Sequence, residues 1–427
     1  MRLLPQGITP ETRLLYAGRG LRAFADGFVS LLLPIYIVAL GFDIFAVGLI
    51  AASTMLGSAA LTIAVGFTAH RYGRRILLVG SALLMIATGI GFLFVHALWP
   101  LVVVAFIGTI NPSPADVSVF YPLEQSLLAE TVPAQHRTAT FAGYSLIGSL
   151  VAALGALAAA LPNFLQTRLH IDLLTALQSM FALYTLLGLI TYYLYRRLPP
   201  SLDSRDERSS SALGPSKRLV FTLAALFSLD SFGGGLVVQS LLALWLYHRF
   251  GLSLETAGAI FFWSGIFTSL SFIVATKLSR KIGLVNTMVF THLPANLCSI
   301  ALAFAPNLTI AVTLLLIRAA LSQMDVPTRG SYVMAVVTPG ERAAAASITA
   351  LPRSLASSLA PLLGGWLFAL TPFAWPLVIA GALKAIYDIL LLILFQSHKP
   401  PEESEAGQAA TRLPDGRNSE KVQPLPP

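Results

Sequence analysis

Residues 66–80 read GFTAHRYGRRILLVG: an apolar lead-in, the basic island His70-Arg71-Tyr72-Gly73-Arg74-Arg75, and a return to apolar residues. A turn this short and this basic, set between segments that avoid water, has the character of a membrane hairpin. Lys and Arg collect in the cytoplasmic loops of membrane proteins, and Gly73 supplies a backbone that can reverse within one residue. Gly66, just before the island, leaves room for a close helix contact.

The rest of the chain agrees with that reading. Of 427 residues, 56% are hydrophobic and 11% charged, and the mean hydropathy is +0.74. A soluble domain carries about 25% charged residues, so a globular cytoplasmic enzyme is excluded. Apolar runs of about twenty residues recur, each long enough to cross the hydrocarbon core as a helix. Open sheets leave their edges unpaired in lipid, and the runs lack the two-residue alternation of barrel strands. Helices remain.

Twelve runs are read, at about 17–40, 45–68, 76–96, 101–129, 139–161, 172–195, 218–247, 254–276, 284–304, 308–337, 343–370 and 375–396. The polar stretch RRLPPSLDSRDERSSSALGPSK (196–217) separates six runs from six. The expected fold is therefore an all-α polytopic membrane protein with twelve transmembrane helices in two pseudo-symmetric six-helix bundles. Its divisions are a bundle over 1–195, a cytoplasmic linker over 196–217, a second bundle over 218–396, and a disordered cytoplasmic tail over 397–427. The opening MRLLPQGITPETRLLYAGRG is too polar and long, and too poor in a small-residue cleavage site, for a removed signal peptide, so the first span is expected to be retained. The single cysteine, Cys298, lies in an apolar run, excludes an intrachain disulfide framework and reads as a packing residue.

Charge orients the spans. With the amino terminus cytoplasmic, twenty of the 28 Lys and Arg fall on that side, two (Arg168 and Arg249) on the other, and six within or at the edges of spans. The net charge of +8 is thus a topology signal, and a nucleic-acid partner is excluded. Both termini are expected in the cytoplasm of a cell whose inner (plasma) membrane holds the protein.

The halves repeat weakly. LLLPIY…GFDIFAVGLI from Leu31 overlays LLALWL…GLSLETAGAI from Leu241 at an offset of 210, which also places HRYGRR over RKIGLV from Arg280. LEQSLLAETVPAQHR (Leu123–Arg137) overlays TRGSYVMAVVTPGER (Thr328–Arg342) at 205, pairing Pro122 with Pro327 and Glu124 with Arg329. Aligning Asp26 with Asp230 needs an offset of 204 and a six-residue gap inside a span, so those aspartates are not treated as equivalent.

Six plus six helices, repeated halves and a basic loop between the second and third spans resemble the major facilitator superfamily. The loop signature of that family, a Gly followed by Asp-Arg/Lys-x-Gly-Arg/Lys-Arg/Lys, is met at Gly66, Arg71, Gly73, Arg74 and Arg75 and departs at His70, where the family has the acid. The resemblance implies that this loop gates the cytoplasmic side, and that helices 1, 4, 7 and 10 line a central cavity. A histidine is no permanent anion, so a latch here is expected to be weaker, pH-dependent or built from other residues such as Glu124.

Those four helices carry Arg22, Asp26, Asp116, Glu124, Asp230, Arg318, Asp325 and Arg329. Facing lipid, eight ionised side chains would cost on the order of 20 kcal/mol, so they are expected to face water or one another. Asp116, Phe120 and Glu124 recur at i, i+4, i+8, and Arg318, Asp325 and Arg329 at i, i+7, i+11, each set on one helical face. An acidic stripe in one half then opposes a more basic one in the other. Asn111-Pro-Ser-Pro-Ala-Asp116, Pro122 and Pro327 interrupt the fourth and tenth spans, and broken helices mark transporter binding sites. Arg22, Glu124 and Arg329 read equally well as gating salt bridges. Lys384 and Asp388, at i, i+4, read as a satisfied pair; Tyr121, Trp245 and Trp263 as packing or interfacial anchors. Small residues over 152–160 and 354–365 read as surfaces on which the halves slide.

No phosphate-binding Gly-x-x-x-x-Gly-Lys-Ser/Thr run, His-Glu-x-x-His or Cys-x-x-Cys occurs, so no enzyme activity, metal or cofactor is expected. The expected function is secondary active transport of a small solute by a monomer in a lipid bilayer. Protons are the expected coupling ion through Asp26, Asp116 and Asp325, and export is the expected direction. Uptake of a small organic anion and a non-transporting membrane protein of the same fold are the alternatives.

Overall fold

The computed structural model describes residues 9–112, 118–131, 134–200, 214, 216–337, 341–371 and 373–396, and no strand occurs among them. The first three spans are α1 (Pro10–Ala39), α2 (Ile44–Tyr72) and α3 (Arg74–Phe94). The fourth is divided into α4 (Leu98–Ile107) and α5 (Phe120–Thr131). The fifth is α6 (Ala134–Ala158), followed by the short α7 (Leu161–Leu169) and the sixth, α8 (Leu173–Arg196). In the second half the seventh span is divided into α9 (Lys217–Leu236) and α10 (Gln239–Phe250), and the eighth and ninth are α11 (Leu254–Ile282) and α12 (Leu284–Ala303). The tenth is again divided, into α13 (Leu308–Leu321) and α14 (Asp325–Val336), before α15 (Arg342–Leu370) and α16 (Trp375–Phe395).

Among the described residues, 8 helical stretches are long and apolar enough by themselves to cross a membrane. The remaining spans are the divided fourth and tenth, the ninth, lowered in hydropathy by Asn286, His292 and Asn296, and the eleventh, which carries Arg353 and several serines. The chain is a twelve-span, all-helical membrane protein.

Its internal symmetry is visible in the backbone. Four glycines have positive φ: Gly41 (91°) and Gly251 (61°), Gly73 (79°) and Gly283 (87°). Each pair is separated by the 210-residue offset of the repeat, and Gly73 and Gly283 are each the single residue between two consecutive helices. The divided spans repeat as well. Both α5 and α14 are 12 residues long with proline third, at Pro122 and Pro327. In the first turn a missing N–H breaks no intrahelical bond, so each proline starts its half-helix instead of kinking one.

Glycine and alanine set the closest approaches of the two halves. A Cβ at Gly48 of α2 would lie 2.6 Å from the Pro361 carbonyl oxygen of α15, and one at Gly258 of α11 would lie 2.6 Å from the Ala156 carbonyl oxygen of α6. Gly265 meets Ala153 in the same way, 2.7 Å from its Cβ. The small residues read as sliding surfaces therefore do sit between the halves, although Gly155 and Gly364 pack within their own. Polar contacts join these approaches. Gln239 Nε2 donates to Ser30 Oγ (3.0 Å), the Ser240 N–H to the Pro112 carbonyl (3.2 Å), and Asn163 Nδ2 to Glu255 Oε1 (2.5 Å). By their positions along the helices, all of these lie from the middle of the bundle towards the end opposite Thr9 and the Gly73 hairpin.

Candidate functional site

The divided helices place two buried charge clusters, one in each half. In the amino-terminal half Arg22 of α1 and Glu124 of α5 form an ion pair with 3% and 0% side-chain exposure. The hydroxyls of Tyr144 on α6 and Tyr195 on α8 both donate to the Glu124 carboxylate. Arg22 is further held by Tyr195 Oη (3.3 Å from Nε) and lies over the Phe120 ring at 4.1 Å. A buried carboxylate supplied with a cation and two hydroxyls has its lone pairs filled, which is the condition for keeping charge out of water. One turn further along α1, Asp26 lines a small pocket with Arg22, Met85, Thr109, Ser118, Phe120 and Tyr184. Thr109, in the unwound part of the fourth span, is hydrogen-bonded to Tyr184 Oη at 3.1 Å.

In the carboxyl-terminal half Asp230 of α9 is the hub. Its Oδ1 accepts from Lys384 Nζ of α16 at 2.6 Å and its Oδ2 faces Arg329 Nη2 of α14 at 3.2 Å. Arg329 also grips Asp325, one turn back on α14, and lies over the Phe227 ring at 5.2 Å. Behind Lys384 the cluster continues through His292 of α12. His292 Nδ1 lies 2.9 Å from Asp388 Oδ1, and Asn296 Nδ2 donates to Asp388 Oδ2 at 2.8 Å.

Five of the eight residues read as cavity charges thus fall into these clusters: Arg22 and Glu124 in one, Asp230, Asp325 and Arg329 in the other. Asp26 lies beside the first. Asp116 lies outside the described residues. Arg318 stands half-buried in the last turn of α13 and does not join the second cluster. The tenth span is not one continuous face, because residues 322–324 break it between Arg318 and Asp325. Likewise α5 begins only at Phe120, so the spacing from position 116 to Glu124 does not run along a single helix. Glu124 of the fourth span meets Arg22 of its own half, not the basic residues of the tenth.

The reading of Lys384 and Asp388 as a mutual pair is corrected. Both sit on α16, but Lys384 turns to Asp230 and Asp388 to His292 and Asn296. An exposed i, i+4 pair has no better partners than each other; at a buried face, neighbouring helices offer them. His292 and Asn296 were missed, although His292 is one of seven histidines and stands alone in the middle of an apolar span. Arg19 was missed too: it is 4% exposed and its guanidinium lies 5.3 Å from the Tyr144 ring centre. Its i, i+3 spacing to Arg22 was the available signal.

At the basic hairpin, Arg74 opens α3 and Arg75 Nη2 donates to the Arg196 carbonyl at the end of α8 (3.0 Å). The hairpin is thereby tied to its own half. The side chains of His70 and Arg71 lie outside the described residues, as does the surrounding of Gly66. Trp263 is 54% exposed, as an interfacial anchor would be, and Trp245 packs edge-on against Phe250 at 5.9 Å.

Comparison with known proteins agrees with this architecture. An uncharacterized membrane protein of Saccharomyces cerevisiae is 23% identical over 421 residues, covering 90% of this chain and 94% of that protein. The nucleoside transporter NupG has a similar structure (TM-score 0.68, 15% identity, 91% of this chain and 100% of that one). So does the xylose transporter XylE from E. coli in its inward-open conformation (TM-score 0.70, 16% identity, 92% and 98%). A bacterial homologue of the human lysosomal transporter Spinster, inward-facing, gives a TM-score of 0.65 at 17% identity, over 92% and 99%. The family profile described as Major Facilitator Superfamily matches residues 15–325, most of the chain, and the protein belongs to that superfamily.

Proposed function

We propose that the protein is a proton-coupled secondary transporter of a small organic solute, working by alternating access of its two six-helix halves. The halves are 1–195 and 218–396, joined by a cytoplasmic linker at 196–217, with 397–427 as a cytoplasmic tail and both termini inside the plasma membrane. The observation that carries this reading is the pair of buried clusters, Arg22–Glu124 and Asp230–Lys384–Arg329–Asp325, beside the breaks of the fourth, seventh and tenth spans. Charges this deep are retained in membrane proteins where solutes or protons pass. The glycine and alanine contacts between the halves are concentrated towards one end, an arrangement that supports closure there and opening at the other. NupG and XylE, of like fold, carry a nucleoside and xylose by name, so a small polar organic solute is the class we favour.

Export is the direction we propose, with Asp26, Asp116 and Asp325 exchanging the coupling proton and the basic hairpin (Gly66, His70, Arg71, Gly73, Arg74, Arg75) gating the cytoplasmic side. Uptake of an organic anion is a second reading. It is favoured by Arg329 and Lys384, whose side chains keep 10% and 15% exposure beside fully buried carboxylates.

The test is flux. A thermal-shift screen of purified protein selects solutes, because a ligand bound only by the folded state raises its stability. The selected solute is then followed in proteoliposomes under an imposed pH gradient. Accumulation that follows the gradient, and fails after neutralisation of Asp26, Asp116 and Asp325, supports the proposal. Flux unchanged in that triple variant removes those carboxylates from the proton pathway, and no flux of any solute favours a non-transporting member of the fold.

A further inference from the structure

His292 occupies a place that the transport reading leaves without a task. Its side chain is 3% exposed, in the ninth span, and lies against both Lys384 and the hub aspartate. The two ring nitrogens meet different chemistry. Nδ1 has the Asp388 carboxylate, an acceptor, at 2.9 Å and the Asn296 amide nitrogen farther off at 3.2 Å. Because that amide is itself engaged on Asp388 at 2.8 Å, the nearer carboxylate decides and Nδ1 carries the hydrogen. Nε2 faces Lys384 Nζ at 3.5 Å, a donor, and beyond it Asp230 Oδ1 at 3.7 Å, an acceptor. Either protonation state of Nε2 therefore finds a partner already in place, whereas Nδ1 has one role in both.

We propose that His292 is a proton-binding site of the carboxyl-terminal half, and that the proton on its Nε2 decides whether Lys384 is shared with the imidazole or given wholly to Asp230. The proposal deepens the proton-coupled reading and rests on it. In the neutral ring, Nε2 offers its lone pair to the Lys384 ammonium, which then divides its N–H groups between His292 and Asp230. A proton arriving from water at Nε2 consumes that lone pair and adds one positive charge. The imidazolium repels Lys384, donates its new N–H towards Asp230 Oδ1, and keeps its Nδ1–H on Asp388. Loss of the proton to water reverses each change. Because Asp230 also holds Arg329, and Arg329 holds Asp325, the proton is felt along the whole chain of contacts into the tenth span.

The hydrogen-bonded set contains three carboxylates (Asp230, Asp325, Asp388) and two strong cations (Arg329, Lys384), with Arg353 a third cation acting on it through space. The other groups facing the ring are accounted for. Tyr387 of α16 presents its ring edge-on, with centroids 6.0 Å apart, and Asn296 holds Asp388. Arg353 of α15 acts on Asp230, Asp325 and Arg329 through space. On the far part of α12, Arg318 of α13 neighbours Cys298. The charges of α11, namely Glu255, Lys277, Arg280 and Lys281, lie in its first turn and its last two.

The proton can be read directly, without a solute. The full-length protein, with its six other histidines replaced by glutamine, is labelled with [15N]histidine in lipid nanodiscs and followed by NMR between pH 5 and 8. The expected result is that the Nε2 signal passes from a lone-pair-bearing to an N–H-bearing shift as pH falls, while the Nδ1 signal stays N–H-bearing. Asp388→Asn is expected to move this transition to lower pH by at least about one unit, and Lys384→Met to move it to higher pH. A structural histidine keeps one state throughout, or is indifferent to both substitutions, and either result overturns the proposal. Should the six-fold replacement fail to fold, the difference between wild type and His292→Gln identifies the same signal. Flux and titration separate the two claims. Gradient-driven flux with a silent His292 overturns this proposal alone; a titrating His292 in a protein that moves no solute supports the site and overturns the transport reading.

Discussion

The guanidinium of Arg22 closes on the carboxylate of Glu124 inside the amino-terminal half, and the pair is sealed from solvent by Tyr144 and Tyr195. Removing one member of such a pair strands the other charge, which costs about 3–5 kcal/mol, whereas removing both leaves neutral groups that tolerate burial. Glu124→Gln and Arg22→Gln are each expected to lower the apparent unfolding temperature in detergent strongly. The double variant is expected to lose clearly less than the two single losses combined. Strict additivity would mean that the two side chains do not act as a pair.

Gly73 and Gly283 share a backbone conformation because they share a place in the repeat. With ψ of 146° and 166° beside their positive φ, both lie in or next to the extended region that is essentially reserved for glycine, where a side chain costs about 1–3 kcal/mol. Gly73→Ala and Gly283→Ala are each expected to destabilise by about that amount, and by similar amounts. Since the two hairpins belong to different halves, their effects are expected to add in the double variant. Thermal unfolding of the three variants checks both statements, and a neutral Gly283→Ala would contradict the symmetry.

The number and order of the spans were legible because each is a length of apolar residues bounded by charge, and lipid thickness makes length decisive. The breaks in the fourth and tenth spans were legible from Pro122 and Pro327, whose missing N–H groups belong at a helix start. The break in the seventh span at Val237–Val238 was not read, although Gly233, Gly234 and Gly235 precede it. What no one-dimensional pattern supplies is the choice of partner for a buried charge. Glu124 and Arg329 are equivalent in sequence, and opposition across the cavity was the natural expectation. The structure satisfies each from its own half, because α1 and α8 bring Arg22 and Tyr195 to Glu124, and α9 brings Asp230 to Arg329. Lys384 and Asp388 were mispaired for the same reason: helical spacing sets which residues share a face, while tertiary packing sets what that face meets.

Gly48 and Gly365 hold α2 against α15 between the halves, with no room for a methyl group. A Cβ at position 48 would stand 2.6 Å from the backbone oxygen of Pro361, which cannot rotate away as a side chain would. Gly48→Ala is therefore expected to disfavour the state in which this end is closed. A shift of about 1.4 kcal/mol changes the ratio of the two states tenfold. The measurement is the labelling rate of cysteines placed one at each end of the bundle, in a Cys298→Ala background. Labelling is expected to rise at the Gly48 end and fall at the Gly73 end. Unchanged rates at both would show that the contact does not separate the two states.

Lys384 has two acidic neighbours, and the geometry assigns it to Asp230 at 2.6 Å and not to Asp388, four residues along the same helix. Double-mutant cycles distinguish these directly. Lys384→Met with Asp230→Asn is expected to give a coupling of about 0.5–3 kcal/mol, the range for contacting groups in one network. The cycle of Lys384→Met with Asp388→Asn is expected to give a smaller value, transmitted only through His292. Asp230→Asn alone is expected to be the more damaging of the two acid substitutions, because it releases Arg329 as well as Lys384. Equal couplings to the two acids, read from thermal unfolding of all five variants, would return Lys384 to the i, i+4 pairing that its spacing suggests.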